Sequence, residues 1–275
     1  MKDLKDKVAV ITGGGGGIGR ALALAFAAEG MHIALADVEE EPLAAVASEV
    51  EKMGVRCSTS VIDVTDLTSM QTFASKVFEE LGGAHVICNN AGVVTMRKAQ
   101  DMSPSDWDWV VGVNLYGVIN GIQAFLSKMV EQAEGGHIVN TASIAGLVPE
   151  ATPGILSYTA SKYGVTGLTE SMRLDLEQYD IGCTVVCPGG VATRIVEAGR
   201  NRPEEYGGPE QPNLDVMGSG KSVPQEMITP EILAQMILRA IHENELYVLS
   251  HPETQPAVEE RFKELLAAFD KIPDA

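Results

Sequence analysis

Positive charge is what this chain is short of. Of its 275 residues only 20 are Lys or Arg, against 38 Asp or Glu, for a net charge of −18 at pH 7. Proteins that grip nucleic acid or an anionic membrane need clustered cations, so neither is expected as a partner. There is no Pro/Ser/Gln tract and no internal repeat, which sets aside disordered and solenoid architectures. The first seven residues are charged and run straight into an apolar strand pattern, without the apolar stretch of about 7 to 15 residues of a secretory signal; a cytoplasmic protein is expected. Cysteine is scarce as well: Cys57, Cys88, Cys183 and Cys187 lie in or beside apolar strand patterns, where a thiol behaves as a small hydrophobe. Cys183 and Cys187, on one strand, stand about 13 Å apart, too far to bridge. The five histidines show no metal-ligand spacing, so no metal is expected; His32, His85 and His137 fall at strand starts and read as structural.

What is present is a strict alternation. Short apolar runs at 8–12, 32–36, 57–61, 85–89, 137–141, 183–187 and 246–249 are separated by helical patterns such as 18–29, 41–53, 67–81 and 157–179. Strand and helix alternating in this way predict an α/β fold: one doubly wound Rossmann domain over 1–275, with a seven-stranded parallel sheet and helices on both faces. Asp66 and Ser103 are placed as N-caps, and Thr229-Pro230 opens a helix running to about His242. Residues 194–227 are rich in Gly, Pro, Asn and Glu without a period, and so long a connection reads as a substrate loop. Residues 256–269 read as a terminal amphipathic helix.

The first strand is followed by Thr12-Gly13-Gly14-Gly15-Gly16-Gly17-Ile18-Gly19 and then at once by a helix. Glycine lets the backbone turn tightly against a pyrophosphate, and the helix N-terminus offers unpaired N–H groups. In this strand, turn and helix context the loop predicts a dinucleotide site formed by Gly13, Gly17, Ile18 and Gly19. The second strand ends near Asp37, 18 residues beyond Gly19, where a carboxylate can accept from the adenosine ribose hydroxyls. A 2'-phosphate would be repelled there, so NAD is favoured over NADP; Val38 offers no compensating base, and Arg20 is the one nearby cation that keeps NADP open. Asp63 with Val64, and Asn89-Asn90-Ala91-Gly92, fall at the carboxyl edge of the sheet, where such folds bind ligands.

Tyr158 and Lys162 are four residues apart on one predicted helix and share a face. An ammonium close to a phenol favours the phenolate, which makes a base of a group that ordinarily ionises near pH 10. Ser143, just past the strand 137–141, stands at the same edge and can donate to a carbonyl oxygen as charge develops on it. Asn114, in the helical segment 107–126, can hold a water linking Lys162 to solvent.

With those residues in place, the chain resembles the short-chain dehydrogenase/reductase family in its common single-domain form. The resemblance runs from Lys7 to Thr193 and includes Thr12 to Gly19, Asp63, Asn89 to Gly92, Asn114, Ser143, Tyr158 with Lys162, and Pro188-Gly189 followed by Val191 and Thr193. It implies Tyr158 as general acid/base and Ser143 as the residue that orients substrate. Lys162 lowers the tyrosine pKa and holds the nicotinamide ribose, Asn114 completes a proton relay, and Val191 and Thr193 contact the carboxamide. The segments 106–121, 202–207 and 246–253 resemble more narrowly the branch containing bacterial Cα-dehydrogenases of lignin-derived aryl ethers. The ending departs from the commoner family pattern, with a terminal helix in place of Val-Asp-Gly-Gly.

These readings predict an NAD-dependent alcohol dehydrogenase/ketoreductase acting on a bulky aryl or alicyclic secondary alcohol or ketone. By the resemblance it assembles as a homodimer or homotetramer. The alternatives are a catalytically silent NAD-binding regulator and an NADP-dependent ketoreductase.

Overall fold

The computed structural model describes residues 1, 3–149, 154–213, 215–216 and 226–272. Strands β1 (Val8–Thr12), β2 (His32–Asp37), β3 (Cys57–Val61), β4 (Val86–Asn89), β5 (Gly136–Thr141), β6 (Ile181–Cys187) and β7 (Tyr247–Leu249) form one sheet in the order β3-β2-β1-β4-β5-β6-β7. Every neighbouring pair is parallel. Each crossover carries helix: α1 (Gly17–Ala28), α2 (Glu40–Glu51), α3 (Leu67–Leu81), α4 (Pro104–Val111) with α5 (Gly117–Gln132), α6 (Leu156–Leu176) and α7 (Pro230–Glu243). The strand order reverses between β1 and β4, which opens a crevice at the carboxyl ends of the central strands.

The continuous apolar strands follow from burial on both sides. Ala9, Ile11, Ile33 and Leu35 face a core built with Leu22 and Phe26 of α1, Val46 of α2 and Ile237 of α7. Their sequence neighbours Val8, Val10, Ala34 and Ala36 face the opposite core, with Phe73 of α3 and Phe125 of α5. With a side-chain period of two, a strand covered on both faces must be apolar at every position. Asp66 caps α3 by accepting from Thr68 N, Ser103 caps α4 with a complete capping box to Asp106, and Thr229 caps α7, as the sequence indicates.

One expectation is corrected. The segment 107–126 is not one uniform helix: a π turn, Gly112–Tyr116, separates α4 from α5. Glycines bracket it, and at Gly117 a Cβ would stand 2.6 Å from the Val64 side chain, so the wide turn lets the helix press against the loop after β3. The loop 194–227 contains the short helical segments Ile195–Asn201 and Glu204–Tyr206; its residues 214 and 217–225 lie outside the described residues. The terminal helix α8 spans Gln255–Ala267. By length and composition the helical run Pro104–Gln132 could cross a membrane, but half of its apolar window is buried inside the fold, as a core helix is.

Candidate active site

The crevice is a cleft of about 600 Å³ whose walls include Gly13, Gly17, Ile18, Asp37, Asp63, Val64, Asn90 and Thr193. Its floor is the glycine loop, and the glycines there are required by contact. Gly13 has φ +67°, and a Cβ on it would stand 2.9 Å from Ala91 Cα. At Gly19 a Cβ would be 2.0 Å from the carbonyl oxygen of Gly13, so α1 can settle on its own loop only without a side chain there. At Gly16, in contrast, nothing lies within 4 Å of the Cβ position. No side chain caps the first turn of α1 and no acidic residue lies in it, which leaves its N–H groups and partial positive charge for an anion in the cleft. Gly19 itself lies beneath the loop and does not line the cleft.

At one end of the cleft, Asp37 accepts from the N–H groups of Gly15 at 2.8 Å and Glu39 at 3.0 Å. Asp63 accepts from Thr65 N at 2.9 Å and shapes the turn after β3. Asn90 donates from Nδ2 to the Thr12 carbonyl at 3.1 Å, and the Thr12 hydroxyl oxygen accepts from Asn90 N and Ala91 N at 3.0 and 3.1 Å. Thr12 thus ties the glycine loop to the Asn-Asn-Ala-Gly turn, a role for which its strand-end position in the sequence gives no signal. Arg20 is spent elsewhere: it pairs with Glu49, Nε to Oε1 at 3.1 Å, and with Glu231.

The polar group at the other end is assembled from α6, β5 and the π turn. Tyr158 and Lys162 share one face of α6, with the Lys162 ammonium 5.4 Å from the tyrosine ring centroid. Lys162 is 2% exposed and donates to the Thr141 carbonyl at 2.7 Å. Burial of that ammonium among few polar groups pulls its pKa down to about 8. Ser143 reaches the Tyr158 hydroxyl; burial pushes the phenol above its ordinary range, and the hydrogen bond with Ser143 draws it back. Asn114, fully buried, is clamped to the backbone of Val93: Oδ1 accepts from its N–H at 2.8 Å and Nδ2 donates to its carbonyl at 2.9 Å and to Ser161 Oγ at 3.1 Å. Both amide hydrogens are therefore committed, and what remains for a water is a lone pair on Oδ1.

These four residues stand behind the cleft wall, and Gly92 is the opening between. A Cβ on Gly92 would lie in ordinary contact with two of them, 3.4 Å from Asn114 Oδ1 and 3.6 Å from Lys162 Nζ, so this residue adjoins the two polar atoms. Gly92 also lines the cleft. Val191, 9% exposed, lies inside the loop after β6, while Thr193 packs its methyl toward Gly17.

That loop is held by a residue the sequence reading passed over. His251, 3% exposed, accepts at Nδ1 from Gly189 N at 3.1 Å, and its Nε2 lies 3.1 Å from the Gly190 carbonyl and 2.7 Å from the Glu226 carbonyl. The Pro188 carbonyl at the base of the loop accepts from Ile144 N. His251 thereby fixes the turn whose Pro188 carbonyl lies 3.5 Å from Ser143 Oγ, a role that its place in the segment 246–253 does not reveal. All four cysteines are free thiols, and burial holds the one nearest the site, Cys187, up to about 12, where it stays neutral.

Residues 7–204 match the family described as short chain dehydrogenase. A C alpha-dehydrogenase of Sphingobium sp. (strain NBRC 103272 / SYK-6) is 35% identical over 268 residues, covering 97% of this chain and 87% of that protein. Among solved structures, a short chain dehydrogenase/reductase from Burkholderia phymatum in complex with NAD superposes with a TM-score of 0.88 at 35% identity, over 100% of this chain and 99% of that one. Carveol dehydrogenase from Mycobacterium avium in complex with NAD gives a TM-score of 0.76 at 26% identity, over 90% and 98%.

Proposed function

The chain belongs to the short-chain dehydrogenase/reductase family, and on that premise we propose that it is an NAD-dependent oxidoreductase interconverting a bulky aryl or alicyclic secondary alcohol and its ketone. The observation that carries this reading is the meeting of Ser143, Tyr158 and Lys162 next to a glycine-floored cleft that ends in a carboxylate. The cleft suits a dinucleotide: the uncapped start of α1 and the open space at Gly16 would hold the pyrophosphate, Asp37 would accept from the adenosine ribose, and Thr193 lines the cleft beside Gly17. When bound there, NAD would supply the hydride acceptor for the alcohol carbon, and NADH the hydride donor for the carbonyl.

The chain's own groups manage the proton. Tyr158 removes it from the substrate hydroxyl in oxidation and returns it in reduction. Ser143 donates to the same oxygen and holds it beside the tyrosine. The buried ammonium of Lys162 stabilises the phenolate from beneath the ring. The gap at Gly92, bounded by Asn114 Oδ1 and Lys162 Nζ, is where a water passes the proton outward. Burial pushes the Tyr158 phenol above its ordinary range, and the ammonium beside its ring acts in the opposite direction.

Tyr158 packs against the buried apolar cluster Met96, Ala145 and Ile155, as does Val94, and apolar surroundings of this kind support a large apolar substrate. The joining of all seven strands in one sheet supports a single catalytic domain. Exposed Leu174, Tyr247 and Leu249 near the β7 edge support a homodimer or homotetramer.

The reading is tested by following NADH absorbance while a panel of aryl and alicyclic secondary alcohols is offered with NAD. Turnover of bulky members is expected. Confirmed NAD binding with silence across the whole panel would favour a regulator instead. Gly19→Ala probes the loop: crowding Gly13 should weaken NADH binding about 10- to 100-fold in a fluorescence titration. Unchanged affinity would place the pyrophosphate elsewhere.

A further inference from the structure

Two carboxylates stand at the rim that receives the adenosine ribose. Asp37 is one; Glu39, two residues on, turns across the cleft to Arg200 on the short helical segment Ile195–Asn201. All three line the cleft. The contact is bidentate, with Arg200 Nε donating to Oε1 at 3.1 Å and Nη2 to Oε2. Arg200 Nη1 donates backward to the carbonyls of Glu197 at 3.0 Å and Arg194 at 3.4 Å. Every nitrogen of this guanidinium is therefore engaged, and the Nε–Nη2 edge, the fork that fits a phosphate, is filled by Glu39. The arginine bond holds the Glu39 carboxyl below its usual range, against the opposing effect of burial.

Resting on the reading of this cleft as an NAD site, we propose that Glu39 and Arg200 are a second selector of the coenzyme, distinct from Asp37. Arg200 is the chain's own receptor for a 2'-phosphate, and Glu39 keeps it occupied. Asp37 excludes the phosphate by repulsion, whereas Glu39 excludes it by competition for the same two donors. The bonds from Nη1 to Glu197 and Arg194 lie within one helical segment and do not need Glu39. Neutralising Glu39 thus leaves the guanidinium aimed at the rim with its fork free. Arg20, the cation nearest in sequence, takes no part because it is committed to Glu49 and Glu231.

The test reads dissociation constants for NADH and NADPH by fluorescence titration in the wild type, Glu39→Gln, Arg200→Met and the double variant. Glu39→Gln is expected to tighten NADPH about tenfold and to move NADH less than about threefold. Arg200→Met alone should leave NADPH within about threefold, since the fork was already filled, and the double variant should lose the whole gain. Glu39→Ala, which removes the acceptor entirely, should repeat the pattern, so a folding defect in one variant does not decide the matter. If the NADPH gain is absent, or survives in the double variant, the selector is overturned while NADH binding by the wild type still upholds the site. If the wild type binds neither nucleotide, the reading of the cleft fails first.

Discussion

Tyr158→Phe is expected to lower kcat for alcohol oxidation by about 1,000-fold. The substitution removes one oxygen and leaves the ring packed against Met96, Ala145 and Ile155. Ser143 keeps its contacts to Ala145 N at 3.2 Å and to the Pro188 carbonyl at 3.5 Å, and Lys162 keeps its bond to Thr141. Nothing in the glycine loop is touched, so NADH affinity should stay within about threefold of the wild type, as expected when only a proton-transfer group is lost. The pH dependence gives a second readout. Burial raises the Tyr158 pKa, so the oxidation rate of the wild type should climb with pH on the alkaline side as the phenol ionises, and the phenylalanine variant should lack that limb. Initial rates over a pH series, paired with a binding titration, separate the two effects. A variant that kept most of its turnover would remove Tyr158 from the chemistry.

Most of the sheet was legible because a doubly covered parallel strand leaves an unbroken apolar run. The departures have local causes. β6 begins at Ile181, two residues before the apolar run at Cys183, because Gly182 interrupts the run; a side chain there would stand 2.4 Å from Asn244 Oδ1 and 2.5 Å from His137 Nδ1. β4 begins at Val86, since the His85 ring bonds the backbone N–H of Val8 at 3.1 Å and the residue serves as a junction between strands. The π turn at Gly112–Tyr116 could not be read from period alone, because a single wide turn shifts the helical face by less than one residue step.

The polar groups of the site were legible where chemistry and spacing coincide, as in Tyr158 with Lys162, and hidden where a distant segment closes on them. Arg200 meets Glu39 across 161 positions, and Arg202 reaches Asp106 across 96. Asp106 shows the cost of reading locally. In the fold it completes the capping box of α4 with Ser103 and receives Arg97 and the buried Arg202, which is bonded in turn to Glu210 and stacked near Trp109. Against the opposing effect of burial, the hydrogen bonds from Ser103, followed by those from Arg202 and Arg97, bring its carboxyl down to about 2. The front of the loop 194–227 is pinned to α4 by this cluster and to the rim of the cleft by Arg200, and both anchors join charges far apart in sequence.

The same separation of local and tertiary effects predicts that Lys162→Met makes the protein more stable and less active. Folding draws the Lys162 pKa from 10.5 to about 8. Keeping that ammonium charged in the fold at pH 7 therefore costs about 3 kcal/mol. Methionine fills similar space without charge and forfeits the bond to the Thr141 carbonyl, a loss of about 1 kcal/mol. The balance is a gain of about 2 kcal/mol, on the order of 5 °C in Tm. The sign is set by proton uptake. Between pH 8 and 10.5 the unfolded chain holds the lysine proton more firmly than the folded one, so this group's contribution to wild-type stability rises through that window. The penalty is complete below pH 8 and gone above 10.5, and the advantage of the methionine variant should shrink over the same interval. Activity moves the opposite way: without a cation under the ring, the Tyr158 phenolate is lost and oxidation should slow about 100-fold at neutral pH. Thermal melts of both proteins from pH 6 to 10, set beside turnover, read both halves. A variant that melted lower than the wild type at pH 7, with a gap indifferent to pH, would mean that the lysine contributes packing alone and that no charge is stored beneath the tyrosine.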